Sequence, residues 1–388
     1  MPGPARPYDA LVVGARCAGA TTAMLLARKG MRVLAVDRGA YGTEALSTHA
    51  LMRGGVLQLT RWGLLPRLIE AGTPPVRTTS FHYGAEEVAL ELRAADGVDA
   101  LYAPRRSVLD SVLVDAAFDA GAEVRHGATA VGLLRDDDGR VRGAVVLDAE
   151  GNRCEVAADL VIGADGIGSV VAREVGAPVL HAGRHSTATV FGYWSGIGTE
   201  GYQWHYVPGA SAGAIPTNAG LHCVFIGVSQ ETWRAALRGS SMEGFQAVLR
   251  AVAPELARRV AEGGRAGAFS TFAGRRGFLR QAWGPGWALV GDAGYFKDPV
   301  TAHGITDALR DAELLADAAA VGTPRAFADY AATRDALSLP LFEATEAIAS
   351  FDWDLPRLQA LHRTLNQAMK REVAHMVARS APLLWEAA

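Results

Sequence analysis

The tightest constraint on this chain lies in its first forty residues. Residues 10–13 form an uninterrupted apolar run that ends at Gly14, the pattern of a strand buried on both faces of a parallel sheet. From residue 18 the chain reads AGATTAMLLARKG. Met24, Leu25 and Leu26 give this helix an apolar patch, Arg28 and Lys29 fill its last turn, and Gly30 stops it. A second strand over 32–36 ends at Asp37. A strand, a glycine turn, a helix and a second strand ending in an acid form the unit that binds a dinucleotide. In it, amides at the helix N-terminus face a pyrophosphate and the acid takes ribose hydroxyls. Asp37 stands roughly 20 residues beyond the turn, where that acid belongs, and Arg38 beside it joins the same nucleotide-facing set.

The turn departs from the GxGxxG fingerprint. Gly14, Ala15, Arg16, Cys17, Ala18 and Gly19 place an arginine where the middle glycine is expected. Two readings of Arg16 stand open: a charge-assisted contact to phosphate, or projection into solvent. Cys17 reads as packing. The bland alternative for the whole segment is a set of glycines that only turn the chain.

A strand over 158–162 runs into Gly163, Ala164, Asp165, Gly166, Ile167, Gly168 and Ser169. Glycines around one aspartate let the backbone pass close to a ligand while the carboxylate turns back on it. Much later a short apolar strand over 287–290 leads into Gly291, Asp292 and Ala293, then Pro299, Gly304 and a helical run over 305–320. Proline and glycine leave the start of that helix exposed, and such an end stabilises negative charge.

In this order, VVGARCAG, VIGADGIGS and ALVGDAGYFKDPVTAHGITDALRDAELLA resemble the three FAD motifs of the p-hydroxybenzoate hydroxylase-like flavoproteins, the group A flavin monooxygenases. The resemblance implies an α/β fold with a Rossmann-like FAD-binding domain, a β-sheet substrate domain and a helical C-terminal region. It also implies roles. Gly14 and Gly19 would lie under the pyrophosphate, Asp37 would bind the adenosine ribose, and Asp165 would sit by the cofactor. Asp292, after Gly291, would bind the ribityl chain, while Pro299, Gly304 and Ile305 would border the isoalloxazine. Arg106 matches the arginine that precedes a helix and contacts FAD, with Arg105 as its rival.

The intervening residues read differently. Residues 107–119 have helical apolar spacing, and strand signals follow over 123–134, 141–147 and 154–162, with Asp138-Gly139 as a hairpin turn. Residues 76–92 read as two short strands, and further strand signals at 189–194, 202–207, 212–215 and 221–228 suggest a second sheet. Alternation puts Tyr202, Trp204 and Tyr206 on one face, either lining an aromatic substrate pocket or filling a core. The expected division is an FAD domain over 1–75, 98–186 and 271–330, a substrate domain over 76–97 and 187–270, and C-terminal helices over 331–388. Pro340, Pro356 and Pro382 are expected to break those helices.

Composition narrows the partners. The net charge of −3 over 388 residues carries no footprint for nucleic acid. The apolar runs are too short to span a membrane. The three cysteines, Cys17, Cys154 and Cys223, form no pattern for a disulfide framework or a metal site, so a reducing cytoplasm and no metal are expected. Met1–Tyr8 reads as a loose end without the layout of a signal peptide.

In the family resembled, NAD(P)H reduces FAD, oxygen reacts with the reduced flavin, and one oxygen atom passes to an electron-rich substrate, often aromatic. The expectation is therefore an NAD(P)H- and O2-dependent monooxygenase acting on a small aromatic or polycyclic compound. His49 and His303 are the candidate proton-relay residues, or else hydrogen-bonding wall residues. The alternative is a reductase or dehydrogenase resembling the geranylgeranyl reductases. A flavin halogenase is disfavoured, because the chain lacks both its early lysine and the WxWxIP segment. A flavin-free nucleotide-binding protein, which would purify colourless, is the reading from another class.

Overall fold

The computed structural model describes residues 7–237 and 242–380. The loose end expected over Met1–Tyr8 falls mostly outside them, as does Pro382; Tyr8 itself opens the first strand.

The apolar runs at 10–13, 32–36 and 158–162 become neighbouring strands because each buries both faces. Tyr8–Val13 pairs in parallel with Val33–Asp37 on one side and Arg153–Gly163 on the other. Trp287–Leu289 and Glu123–His126 extend the sheet, also in parallel. The long strand expected over 123–134 divides at Gly127, whose φ of 70° turns the chain. Its second part, Thr129–Arg135, pairs antiparallel with Val141–Leu147, which returns the chain to Arg153–Gly163. Helices Cys17–Arg28, Arg106–Asp119 and Gly304–Val321 pack together over this sheet.

A second sheet of seven strands runs in the order Gly264–Phe272, Thr187–Ser195, His222–Ser229, Ala210–Pro216, Tyr202–Val207, Thr78–Tyr83, Glu86–Glu91. All neighbours are antiparallel except Tyr202–Val207 beside Thr78–Tyr83, where two distant parts of the chain meet in parallel. One face is covered by helices Met242–Val252 and Pro254–Glu262, which bury Trp194, Ile226, Phe245 and Leu249. The other face carries Phe191, Trp204, Tyr206 and Phe225 toward the main core. A three-stranded sheet of Val179–Ala182, Phe278–Arg280 and Tyr295–Phe296 bridges the two.

Two long helices, Pro324–Ala349 and Leu355–Ser380, complete the chain. Pro356 lies in the first turn of the latter, where its missing N–H costs nothing. Pro340 does not break its helix. An interior proline costs about 3 kcal/mol, and burial of Leu341, Phe342, Ala344 and Ile348 just beyond it offsets that cost.

Candidate functional site

The carboxyl ends of four parallel strands meet at one edge of the first sheet. Val13 lies beside Val36 and Gly163, and Gly163 beside Leu289. The chain leaves these strands as Gly14, Asp37, Ala164 and Val290, so segments far apart in sequence become neighbours. A cavity of about 760 Å³ opens along this edge and reaches the second sheet. Ligands bind at such edges in open α/β sheets.

Gly14 has φ +98°, and a β-carbon there would lie 2.4 Å from the Ala164 carbonyl oxygen. Only glycine lets the first and second segments touch. Gly19 and Gly291 matter for packing. A β-carbon on Gly19 would lie 1.8 Å from the Gly14 oxygen, and one on Gly291 2.7 Å from the Ala18 β-carbon. Both permit close packing behind the turn and neither lines the cavity.

Arg16 sits at φ −94°, a backbone any residue adopts, so the fingerprint's middle glycine is not required for conformation. Its guanidinium lies along the cavity wall, donating to Thr43 Oγ1 at 3.2 Å and pairing with Asp110 at 3.5 Å. Helix Cys17–Arg28 has no side-chain cap, which leaves first-turn N–H groups to be satisfied at the cavity. Asp37 accepts from the Ala15 N–H at 2.8 Å and the Gly39 N–H at 2.7 Å, so the acid also ties down the turn. Arg38 follows it onto the cavity wall, exposed. The buried Cys17 thiol contacts Asp110 at 3.1 Å, and burial raises its pKa, which keeps it protonated.

Asp165 lines the cavity; Oδ2 accepts from the Val170 N–H at 2.6 Å, while Oδ1 is buried without a hydrogen-bond partner. Burial raises its pKa. Of the two rival arginines, Arg106 reaches the cavity, with its guanidinium on both Asp110 oxygens at 3.0 Å. Arg105 instead pairs with Glu44 at 2.9 Å and lies 4.0 Å from the centre of the Tyr193 ring. Asp292 also lines the cavity, its carboxyl pushed up to about 6 by burial against the pull of Lys297 and Arg106.

Pro299, Ala302, His303, Gly304 and Ile305 form the far end of the wall. The helix expected from residue 305 begins at Gly304, again without a side-chain cap. Ala302 and His49, both on the cavity, have positive φ of 49° and 50°, backbone strain of the sort that clusters at functional sites. His49 Nε2 lies 3.1 Å from the Tyr193 hydroxyl. Burial, then Arg105 and Arg106, lower its pKa to about 3, which keeps the ring neutral. His303 is joined by two residues that sequence reasoning passed over. Its Nε2 lies 2.6 Å from Glu372, and Lys297, also on the cavity wall, pairs with Asp307. Arg310 holds Glu372, Asp307 and Asp311 at 2.5, 3.1 and 2.6 Å.

His303, Asp307 and Glu372 bring ligand-type atoms within 4.8 Å of one another. Lys297 and Arg310 already supply the cations for those carboxylates, so the group is an ion-pair network rather than a vacant set of ligands. The lysine was visible within the third motif. Glu372 had one signal: spacing puts it on the same helical stripe as buried Leu365, Ala368 and Met376.

The second sheet supplies the opposite wall through Thr187, Thr189, Phe191, Trp204, Tyr206 and Phe225, with Ser211 and Phe272 beside them. Among the described residues, no side chain that this sheet adds to the lining is charged. Trp204 and Tyr206 therefore border the cavity, but Tyr202 does not. It is fully buried one step further along the strand, its hydroxyl donating to the Tyr102 carbonyl at 2.7 Å. Alternation assigns a face, and only part of that face borders the cavity.

These features suit a flavin dinucleotide. Two uncapped helix N-termini stand at the cavity, one for a pyrophosphate and one for negative charge on a ring edge. Asp37 closes one end of the site, and the Asp165 carboxylate stands on its wall. In FAD, Asp37 would hold ribose, Arg106 and Asp292 would flank the middle, and the Pro299–Ile305 segment would lie against the ring.

Comparison with known proteins agrees. Residues 7–329 match the family described as FAD binding domain. A digeranylgeranylglycerophospholipid reductase of Methanopyrus kandleri is 29% identical over 319 residues, covering 78% of this chain and 74% of that protein. PqsL of Pseudomonas aeruginosa, a probable FAD-dependent monooxygenase, solved with 2-aminobenzoylacetate, superposes with a TM-score of 0.77 at 20% identity, covering 92% of this chain and 100% of that one. A flavin-dependent brominase superposes with a TM-score of 0.77 at 18% identity, covering 97% and 100%. No helix among the described residues is long and apolar enough to cross a membrane. The chain thus belongs to the FAD binding domain family and is an FAD-dependent oxidoreductase with the p-hydroxybenzoate hydroxylase-like fold.

Proposed function

We propose that this enzyme is a monooxygenase that uses NAD(P)H and O2 to oxygenate a small aromatic or polycyclic compound. The observation that carries this reading is the second wall: rings from Phe191, Trp204, Tyr206, Phe225 and Phe272, hydroxyls from Thr187, Thr189 and Ser211, and no charged side chain. Such a wall favours flat apolar molecules, while the cations on the cavity, Arg16, Arg38, Arg106 and Lys297, come from outside this sheet. PqsL, of the same fold, is known in complex with 2-aminobenzoylacetate, which carries an aromatic ring as well as a carboxylate.

Bound flavin supplies the chemistry, accepting hydride and passing electrons on to oxygen. The protein's part is to bind, orient and exclude water. The described residues of 1–75, 98–186 and 271–330 make up the proposed cofactor part, with Gly14, Arg16, Asp37, Arg38, Arg106, Asp165 and Asp292 along the dinucleotide. The described residues of 76–97 and 187–270 make up the proposed substrate part, and helices Pro324–Ala349 and Leu355–Ser380 follow them in the chain. Amides at the start of helix Gly304–Val321 favour negative charge on a ring placed against them.

The test is incubation of the FAD-loaded enzyme with NAD(P)H, labelled oxygen and a panel of ring compounds, followed by mass analysis. One labelled oxygen atom in a product supports the reading; flavin that NAD(P)H never reduces, even with substrates present, sinks it. A second reading, a reductase or dehydrogenase acting on a carbon substrate, is favoured by the similarity to the Methanopyrus kandleri reductase. It predicts turnover that proceeds without oxygen.

A further inference from the structure

Residues 183–186 carry the chain from strand Val179–Ala182 of the three-stranded sheet to strand Thr187–Ser195 of the second sheet. The N–H groups along this crossing go to other parts of the molecule. Gly183 donates to the Gly277 carbonyl at 2.7 Å, Arg184 to Glu346 at 2.7 Å, and Thr187, where the strand begins, to Asp298 Oδ2 at 2.6 Å. Asp298 stands between strand Tyr295–Phe296 and the short turn Pro299–Thr301, and its Oδ1 accepts from the Val300 N–H at 3.0 Å. The carboxyl group is 1% exposed and does not line the cavity, but both of its partners do. Thr187 opens the strand that adds Thr189 and Phe191 to the second wall, and Val300 follows Pro299 beside the ring site.

We infer that Asp298 is a positioning residue that ties the loop beside the ring site to strand Thr187–Ser195 and so sets the separation of the two cavity walls. A carboxylate accepts on both oxygens, so one short planar group holds an N–H from each wall at once. The ladder between Thr187 and Ser229 fixes the strand within its own sheet, but not against the loop. Burial pushes the Asp298 carboxyl up to about 7 against the hydrogen bonds from Thr187 and Val300, and above that pH the group is ionised. It touches neither the ring site nor the second wall's side chains through the cavity, so it acts through position alone.

Position matters where two bound molecules must meet. A misplacement of about 1 Å between reacting groups costs about 10²-fold in rate. The inference rests on the reading that this cavity holds both cofactor and substrate, but not on which reaction takes place there.

The test compares Asp298→Asn and Asp298→Ser with the parent, all full-length, FAD-loaded and at about pH 8, where a carboxyl with a pKa near 7 is mostly ionised. Both replacements keep an oxygen that caps the Val300 N–H, but asparagine turns its NH2 toward Thr187 and serine is too short to reach it. The turn is thereby kept and the bond between the walls removed. Amide exchange over residues 187–191 should accelerate by about tenfold, while residues 299–304 stay protected as in the parent. The visible circular dichroism of the bound flavin, which responds to the groups packed around its ring, should change shape. With a ring compound present, kcat for NAD(P)H oxidation should fall by about 10²-fold with KM within about twofold. Exchange that is unchanged over 187–191, or that rises equally over 299–304, overturns the inference, as does an unchanged flavin band or a rise in KM with kcat intact. Loss of FAD from both variants also overturns it, since Asp298 would then serve the cofactor fold alone. Exchange and dichroism need no NAD(P)H, oxygen or organic substrate, so they decide the inference even where no labelled oxygen enters a product.

Discussion

On the edge of the first sheet the cavity is bounded by Gly14, Asp37, Asp165 and Asp292, whereas the second sheet faces it with Phe191, Trp204, Tyr206 and Phe225. The first wall is made of backbone and charge. It works because main chain approaches main chain and helix ends stay uncapped, which demands particular residues at particular places. The second wall is made of side chains on regular strands. Any ring of suitable volume satisfies the fold there, so its residues are free to record the ligand instead.

The contrast can be broken most severely at the buried charges behind the first wall. Arg310→Met leaves Asp307, Asp311 and Glu372 short of a cation, and should cost about 3–5 kcal/mol in urea unfolding. Nothing of that size is expected from a ring-to-leucine change on the second wall. Next comes Gly14→Ala, which adds a β-carbon at φ +98° and 2.4 Å from a carbonyl oxygen. A penalty of about 2–3 kcal/mol would weaken FAD binding by about 100-fold, read from flavin absorbance after gel filtration.

Acid should act on the seam between the walls. The His49 ring stays neutral down to about pH 3 in the folded protein, while an unfolded imidazole titrates near 6.5. The unfolded chain alone takes up a proton in that window, so this contribution is complete above pH 6.5 and is lost as pH falls. Between pH 6.5 and 5 the loss should be about 2 kcal/mol, and His49→Asn, which tolerates the positive φ, should remove it from the urea profile.

Trp204→Leu probes the second wall alone. FAD content should be unchanged while KM for the organic substrate rises by roughly tenfold, worth about 1.4 kcal/mol. Arg16→Gly, which restores the fingerprint, should do least. The half-exposed guanidinium makes one 3.5 Å ion pair, so an effect within about 0.5 kcal/mol on stability is expected.

The same contrast explains what could be read in advance. Gly14, Asp37, Asp165 and Asp292 stood out because close approach and carboxylate placement leave few choices, and their strands announced themselves by continuous apolar runs. Arg16 seemed a defect only because the fingerprint treats its middle position as conformationally special, and a φ of −94° makes no such demand. The cavity's reach along a strand was not legible: alternation grouped Tyr202 with Trp204 and Tyr206, but the Tyr102 segment covers the first ring. Pro340 misled because local propensity was outweighed by packing. Glu372 lay on a buried helical stripe, but nothing local pointed to its partner 69 residues away.

That last separation has a consequence for biosynthesis. A growing chain that has delivered all three glycine segments to the outside of the ribosome still holds Glu372 in the exit tunnel. Until it emerges, His303 lacks its carboxylate partner and Arg310 lacks one of its three anions. The order of translation therefore leaves the buried ion pairs behind the cavity incomplete until helix Leu355–Ser380 has docked.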